Sequence, residues 1–461
     1  MRAHEAGALH GDIGSRGPAW LRTPEDVNAL TPALWPRSVT RGADGALAVA
    51  GLSVRDIAAE FGTPVYVLDE ADLRSRCRDF RAAFPTEDVY YAGKAFLCRA
   101  VVRMIAEEGL FLDVCTGGEL ATALSAGMPP EKIGFHGNNK STAELSRALD
   151  AGVGRIIVDS VTEIDRLTAL ARERGVRPRV LVRVTVGVEA HTHEFIATAH
   201  EDQKFGFSLA GGAAAAAAFK ILDEGVLELR GLHSHIGSQI FDASGFEVSA
   251  RRVLALQAQI RDARGVELPE LDLGGGFGIA YTTQDTPATP QELAKRLRRI
   301  VDAECAAENL SVPRLSIEPG RAIVGPAVFT LYEVGTVKDL DGIRTYVSVD
   351  GGMSDNIRTA LYDASYSATL ASRASGAQPL LARVVGKHCE SGDIVVKDEF
   401  LPADVQPGDL VAVPGTGAYC RSMASNYNHV PRPPVIAVRD GLARLIVRRE
   451  TEEDLLALDV G

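Results

Sequence analysis

Arg155-Ile156-Ile157-Val158, then helical apolar spacing over 161–174, then Val180-Leu181-Val182-Arg183-Val184: the fold is decided by this stretch. Two short runs rich in β-branched residues flank a segment of period 3.6, the pattern of a strand–helix–strand unit. The same alternation continues both ways. Upstream lie Val89-Tyr90-Tyr91, Leu110-Phe111-Leu112 and Lys132-Ile133-Gly134-Phe135. Downstream lie Leu229-Arg230-Gly231-Leu232, Leu271-Asp272-Leu273 and Leu315-Ser316-Ile317. Helical spacing fills 118–126, 142–151 and 246–263, and the alanine run 213–218 reads as a helix of high propensity. Eight such repeats over about 240 residues are the arithmetic of a (β/α)8 TIM barrel. An open doubly wound sheet shares this alternation, because periodicity cannot show closure.

Beyond residue 325 the texture changes. Segments 328–337, 346–349, 380–385, 409–413 and 434–438 read as strands separated by Gly, Pro and Asp turns, with little helical patterning. Before the alternation, Gly62-Thr63-Pro64 marks a turn into Val65-Tyr66-Val67-Leu68, a strand followed by a helix from Asp69. The reading is an α/β chain in three parts. Residues 1–62 form an arm that partly joins the β-domain, 63–325 the barrel, and 326–461 a C-terminal β-rich domain.

A chain of 461 residues is too long for one ordinary domain and fits two. With 46% hydrophobic and 24% charged residues it can bury full cores as a water-soluble protein. A net charge of -12 repels phosphate backbones and anionic lipid, which argues against nucleic-acid and membrane partners. The six cysteines are scattered without a C-x-x-C pair, which speaks against a zinc site or disulfide framework and for a reducing cytoplasm. Residues 1–41 mix Gly, Pro and charge, unlike a signal peptide, and no run reaches the ~18 apolar residues of a membrane helix. His191, His193 and His200 fall in the long segment 189–204, which resembles an insertion lid found in part of a known enzyme family; their spacing supplies no fixed fourth ligand, so no metal is expected.

Polar residues collect where the proposed strands end, the face at which barrel active sites form. Strand one runs into Ala92-Gly93-Lys94-Ala95, and strand two ends at Asp113. Strand three runs into His136-Gly137-Asn138-Asn139-Lys140, and strand six into His233-Ser234-His235-Ile236-Gly237-Ser238. Strand seven runs into Gly274-Gly275-Gly276, and strand eight into Glu318-Pro319-Gly320-Arg321. A lysine desolvated in a barrel mouth can form a Schiff base. Three glycines offer backbone N–H groups to a phosphate, with Arg321 and Ser238 as further donors. Glu318 can face a pyridine nitrogen, or form an ion pair with a neighbouring arginine. His235 can stack on a flat ring.

Taken together and in order, these motifs resemble the pyridoxal-phosphate (PLP)-dependent decarboxylases of the alanine-racemase-like fold. The resemblance implies PLP as cofactor and Lys94 as the lysine that carries it. It implies a cofactor site of Asp113, His235, Ser238, Gly274, Gly275, Gly276, Glu318, Gly320, Arg321 and Tyr419. Downstream, Cys389-Glu390-Ser391-Gly392-Asp393, Arg358-Thr359-Ala360-Leu361-Tyr362 and Gly417-Ala418-Tyr419 are similar to segments of the branch that decarboxylates meso-diaminopimelate to L-lysine. That likeness implies Cys389 as proton donor in the site of a second subunit, hence a homodimer with a shared active site. It implies Glu390 for the distal ammonium of the substrate, Arg321, Arg358 and Tyr362 for its distal carboxylate, and Tyr419 for contact with cofactor and substrate. Ornithine-, arginine- or carboxy-polyamine decarboxylases share the cofactor residues, and a non-catalytic PLP-binding protein resembles the barrel alone.

Overall fold

The computed structural model of the chain describes residues 17–187, 203–242, 244–340 and 343–461. His191, His193, His200 and most of the expected lid lie outside these residues. The chain divides into two compact units.

The first unit spans 74–278 and 287–323. Its eight parallel strands are Asp88–Ala92, Phe111–Val114, Ile133–Phe135, Arg155–Val158, Arg179–Thr185, Glu228–His233, Glu270–Asp272 and Arg314–Ile317. Each pairs with the next, and Arg314–Ile317 pairs with Asp88–Ala92, so the sheet closes on itself. Closure removes the open-sheet alternative, and the expected TIM barrel is the fold. The helices between strands begin and end on local chemistry. Thr142–Ala151 starts at Ser141, whose capping box with Glu144 satisfies first-turn amides, and stops at Gly152 with φ 76°. Val161–Arg174 is capped by Ser160 and stops at Gly175 with φ 63°. At the N-terminal end of the strands, Arg155 grips both oxygens of Glu270 at 2.7 and 2.6 Å, and Arg230 adds a bond of 3.1 Å. This bidentate pairing ties three strands together at the end away from the site.

The second unit holds the described residues up to Leu73, together with 279–286 and 324–461. A nine-stranded sheet forms it. Its long strand Val328–Leu340 pairs antiparallel with Val65–Asp69 and Leu410–Pro414 through its first half, and with Arg344–Val349 through its second. Val65–Asp69 also pairs in parallel with Val435–Arg439. The strand read as the entrance to the barrel therefore lies in the middle of this sheet, and the barrel unit begins near residue 74 rather than 63. Three strands of this sheet, the two-residue Thr369–Leu370, Ile394–Pro402 and Leu442–Val447, had no counterpart in the sequence reading. Lys397, Asp398 and Glu399 interrupt the apolar run of Ile394–Pro402, and Leu442–Val447 is an edge strand of mostly exposed or half-buried residues.

Residues 34–57 are built into this unit. Leu34, Trp35, Leu47, Val49, Val54 and Ile57 pack with Val65, Val67, Phe329, Leu331, Ile436 and Val438 in one core. Val65 and Val67 share the core face by strand alternation, each such buried side chain contributing roughly 1.5–3 kcal/mol. Among the described residues no helix is long and apolar enough to cross a membrane.

Candidate active site

The barrel strands deliver their polar residues to one end. After Asp88–Ala92 a single 3-10 turn, Gly93–Ala95, carries Lys94. Lys94 is exposed on this turn. Gly320 lies against the same turn; a Cβ there would sit 2.9 Å from the Ala92 Cβ and carbonyl oxygen.

Glu318 follows the eighth strand and is buried. Its Oε1 lies 3.0 Å from His136 Nε2 and 3.1 Å from His233 Nε2, and His136 Nε2 lies 3.4 Å from Asp113 Oδ1. The two imidazoles meet edge to face, with centroids 4.9 Å apart. Among the described residues Glu318 is thus held by two histidines and not by an arginine. Burial alone would raise its carboxyl, but the two imidazoles hold it well below the usual range, so it is ionised. Asp113 goes the other way: burial pushes it up to about 7, His136 opposing and Glu318 adding to the rise. Both histidines stood at expected strand ends without an assigned role; only contact across the barrel reveals that they serve one carboxylate. The donor atoms of His136, His233 and Glu318 lie within 4.8 Å of one another, a grouping able to hold a metal ion, whereas the sequence reading expected none. Lys140, from the same rim segment as His136, is structural: its Nζ donates to the carbonyls of Gly137 and Ile157 and pairs with Glu163 at 2.8 Å.

The glycine triplet is a cradle that no side chain can enter. A Cβ on Gly274, Gly275 or Gly276 would fall 2.5, 2.2 or 2.3 Å from the carbonyl oxygens of Ser234, Glu318 and Gly237. The amide of Gly274 donates to Asp272 Oδ1 and that of Gly275 to His235 Nδ1. The expectation of three available donors therefore narrows to Gly276. An acceptor Nδ1 agrees with a neutral His235, whose pKa is driven well below the ordinary value by burial and then by Lys94. Arg321 is buried and donates to Ser238 Oγ at 2.8 Å. Glycine backbone, a hydroxyl and a buried guanidinium are a donor set for a phosphate dianion. An ionised buried carboxylate suits a protonated ring nitrogen. The residues present fit pyridoxal phosphate.

The remaining expected residues lie in the second unit. Arg358 and the half-buried Tyr362 bound one short helix, Arg358–Tyr362. Arg358 is buried; its Nη1 donates to Tyr366 Oη, and its guanidinium carbon lies 4.8 Å from the Tyr281 ring centroid. Its Nε has no hydrogen-bond partner among the described residues. The sequence reading missed Tyr281 and Tyr366, because neither stands in a recognisable motif. Cys389 is exposed and its amide donates to Asn428 Oδ1 at 3.2 Å, while the half-buried Glu390 accepts from Gly392 N at 3.3 Å. Tyr419 sits at φ 64° in the turn after Leu410–Pro414, where a Cβ on neighbouring Gly417 would be 1.9 Å from the Val324 carbonyl.

A closed barrel with a phosphate cradle and an ionised carboxylate across it defines a pyridoxal-phosphate enzyme of the TIM-barrel class. Residues 70–325 match the family model described as "Pyridoxal-dependent decarboxylase, pyridoxal binding domain". A diaminopimelate decarboxylase of Mycobacterium tuberculosis is 59% identical over 443 residues, covering 94% of this chain and 98% of its own. One from Bacillus subtilis is 46% identical, covering 90% and 95%. The crystal structure of the M. jannaschii diaminopimelate decarboxylase in complex with L-lysine superimposes with a TM-score of 0.86 at 31% identity, covering 92% and 98%. The chain belongs to the diaminopimelate decarboxylase family of pyridoxal-dependent decarboxylases.

Proposed function

We propose that the chain converts meso-2,6-diaminopimelate to L-lysine and carbon dioxide with pyridoxal 5′-phosphate, the last step of lysine biosynthesis. The observation that carries this substrate is Arg358: a buried cation with an unpartnered Nε, suited to a carboxylate at the far end of an amino acid. When bound, the cofactor supplies an electron-withdrawing ring that accepts the electron pair left as the α-carboxylate departs.

The protein's residues do the rest. Lys94 Nζ would hold the cofactor. Glu318, kept ionised by His136 and His233, keeps a proton on the ring nitrogen. Gly276, Ser238 and Arg321 would bind the phosphate, Gly274, Gly275 and Gly320 would shape its approach, and Asp113 and His235 would lie beside the cofactor. Cys389 Sγ then delivers a proton to the α-carbon. Glu390 binds the distal ammonium, Arg358 with Arg321 and Tyr362 binds the distal carboxylate, and Tyr419 touches both cofactor and substrate. Cys389 and Glu390 act in the site of a second copy, which makes the enzyme a homodimer; a monomer by sedimentation under assay conditions would refute this. The scattered free thiols support a cytoplasmic location.

A site that pairs a buried group strongly rejects analogues lacking its partner. Ornithine leaves Arg358 without a carboxylate and is expected to turn over poorly. Carbon dioxide release from meso-diaminopimelate, ornithine and arginine tests this. Efficient ornithine turnover would defeat the substrate assignment in favour of an ornithine- or arginine-type decarboxylase. No release from any of them by the PLP-loaded protein would identify a non-catalytic carrier.

A further inference from the structure

Arg358 is fixed by aromatic residues, not by an acid: among the described residues it forms no ion pair. Its guanidinium carbon lies 4.8 Å from the Tyr281 centroid and 5.6 Å from that of Tyr366, and the two rings meet edge-on at 5.0 Å and 74°. A chain of groups within hydrogen-bond reach extends from it. Arg358 Nη1 donates to Tyr366 Oη, that hydroxyl lies 3.6 Å from Cys420 Sγ, and the thiol lies 3.5 Å from Asn356 Oδ1. Burial pushes the Tyr366 phenol well above its ordinary pKa, so it remains a hydroxyl that can accept from Arg358 and donate onward. Tyr281 is itself pinned. Its amide donates to Asp285 Oδ2 at 2.9 Å, its carbonyl accepts from Ser367 Oγ at 3.2 Å, and a Cβ on Gly415 would touch its ring at 3.2 Å.

We propose that Tyr281 and Tyr366 are specificity-determining residues that clamp the Arg358 guanidinium, leaving its Nε–H for the distal carboxylate of the substrate. This rests on the reading of Arg358 given above. A buried cation costs less when an aromatic face meets it; the electron-rich rings do so without supplying a negative charge that would satisfy it. A neighbouring carboxylate would hold the guanidinium equally well and compete with the substrate. Two tyrosines hold it and leave its charge open to an incoming anion. The clamp also fixes a side chain with many rotamers before substrate arrives, lowering the ordering cost of binding.

Tyr366→Phe keeps the ring and removes the acceptor, and Tyr281→Leu removes the facing ring. In the PLP-loaded enzyme each is expected to raise KM for meso-diaminopimelate roughly tenfold, with kcat changed less than about threefold. L-lysine retains the distal carboxylate and cadaverine lacks it. Competitive inhibition by lysine is expected to weaken alongside KM, and inhibition by cadaverine to stay as in the unaltered enzyme. Unchanged KM and lysine inhibition in Tyr366→Phe would overturn the clamp, as would equal weakening by both inhibitors. Tyr366→Phe differs by one oxygen atom and decides the matter if Tyr281→Leu does not fold. Arg358→Lys separates the two layers. If it leaves KM unchanged, the reading of Arg358 fails; if it raises KM while the tyrosine variants do not, the clamp alone fails.

Discussion

Replacing Glu318 by Gln removes one negative charge from a buried group whose Oε1 sits 3.0 and 3.1 Å from two imidazole nitrogens. The amide is close to isosteric, so the barrel should tolerate it, but it cannot balance a protonated ring nitrogen. A hydrogen bond to a charged group contributes about 1.5–3 kcal/mol net, which converts to a roughly ten- to 150-fold loss in kcat. KM should change little, because the interaction strengthens only as charge moves into the ring. Carbon dioxide release at saturating substrate measures kcat, and absorbance titration confirms that the variant is fully loaded with PLP. A second signature follows from the electrostatics. Glu318 adds to the upward shift of Asp113, so Asp113 should ionise at lower pH in the variant, moving the acidic limb of the pH–rate profile down. A fully loaded Glu318→Gln enzyme with kcat within about twofold of the original would refute the assignment of Glu318 to the ring nitrogen.

Gly275→Ala would place a methyl carbon 2.2 Å from the Glu318 carbonyl oxygen, so backbone must move. Thermal melts should show a Tm lower by several degrees, and PLP affinity should fall at least roughly tenfold; a normal melt and normal affinity would show the cradle to be slack. Asp113, Asp355 and Glu399 are each pushed up to about 7, with burial the leading cause. Such acids keep their protons in the folded state where the unfolded chain has released them. Stability should therefore fall as pH rises from the ordinary carboxyl range through about 7, read as a declining Tm between about pH 5 and about pH 8. Asp355→Asn should flatten part of that slope, and a Tm that rises over this interval would contradict the burial argument.

The barrel was legible because its strands are short and mostly apolar, and several are followed by a helix with its own cap and stop, as at Ser160 and Gly175. The rim was legible because strand ends are where side chains leave the packed interior. Val65-Tyr66-Val67-Leu68 was read correctly as a strand and placed in the wrong unit, since local pattern carries no record of a partner at 328–331 or 435–438. Lys94 and Glu318 could be found from position and type. The histidine pair behind Glu318 could not, because His136 and His233 are far apart in sequence and converge only when the sheet closes. Tyr281 and Tyr366 were hidden for a related reason: an aromatic residue in a loop looks the same in sequence whether it packs or clamps.

The position of Val65–Asp69 imposes an order on synthesis. This strand is translated early, yet its antiparallel neighbour Val328–Leu340 and its parallel neighbour Val435–Arg439 follow only after the last barrel strand, Arg314–Ile317. Its edges stay unpaired on the ribosome while the ring of the barrel becomes complete. Nascent chains should thus acquire a protease-resistant barrel first, and the sheet should lock only near release. Any truncation that removes Val435–Arg439 strips a partner from a strand made hundreds of residues earlier.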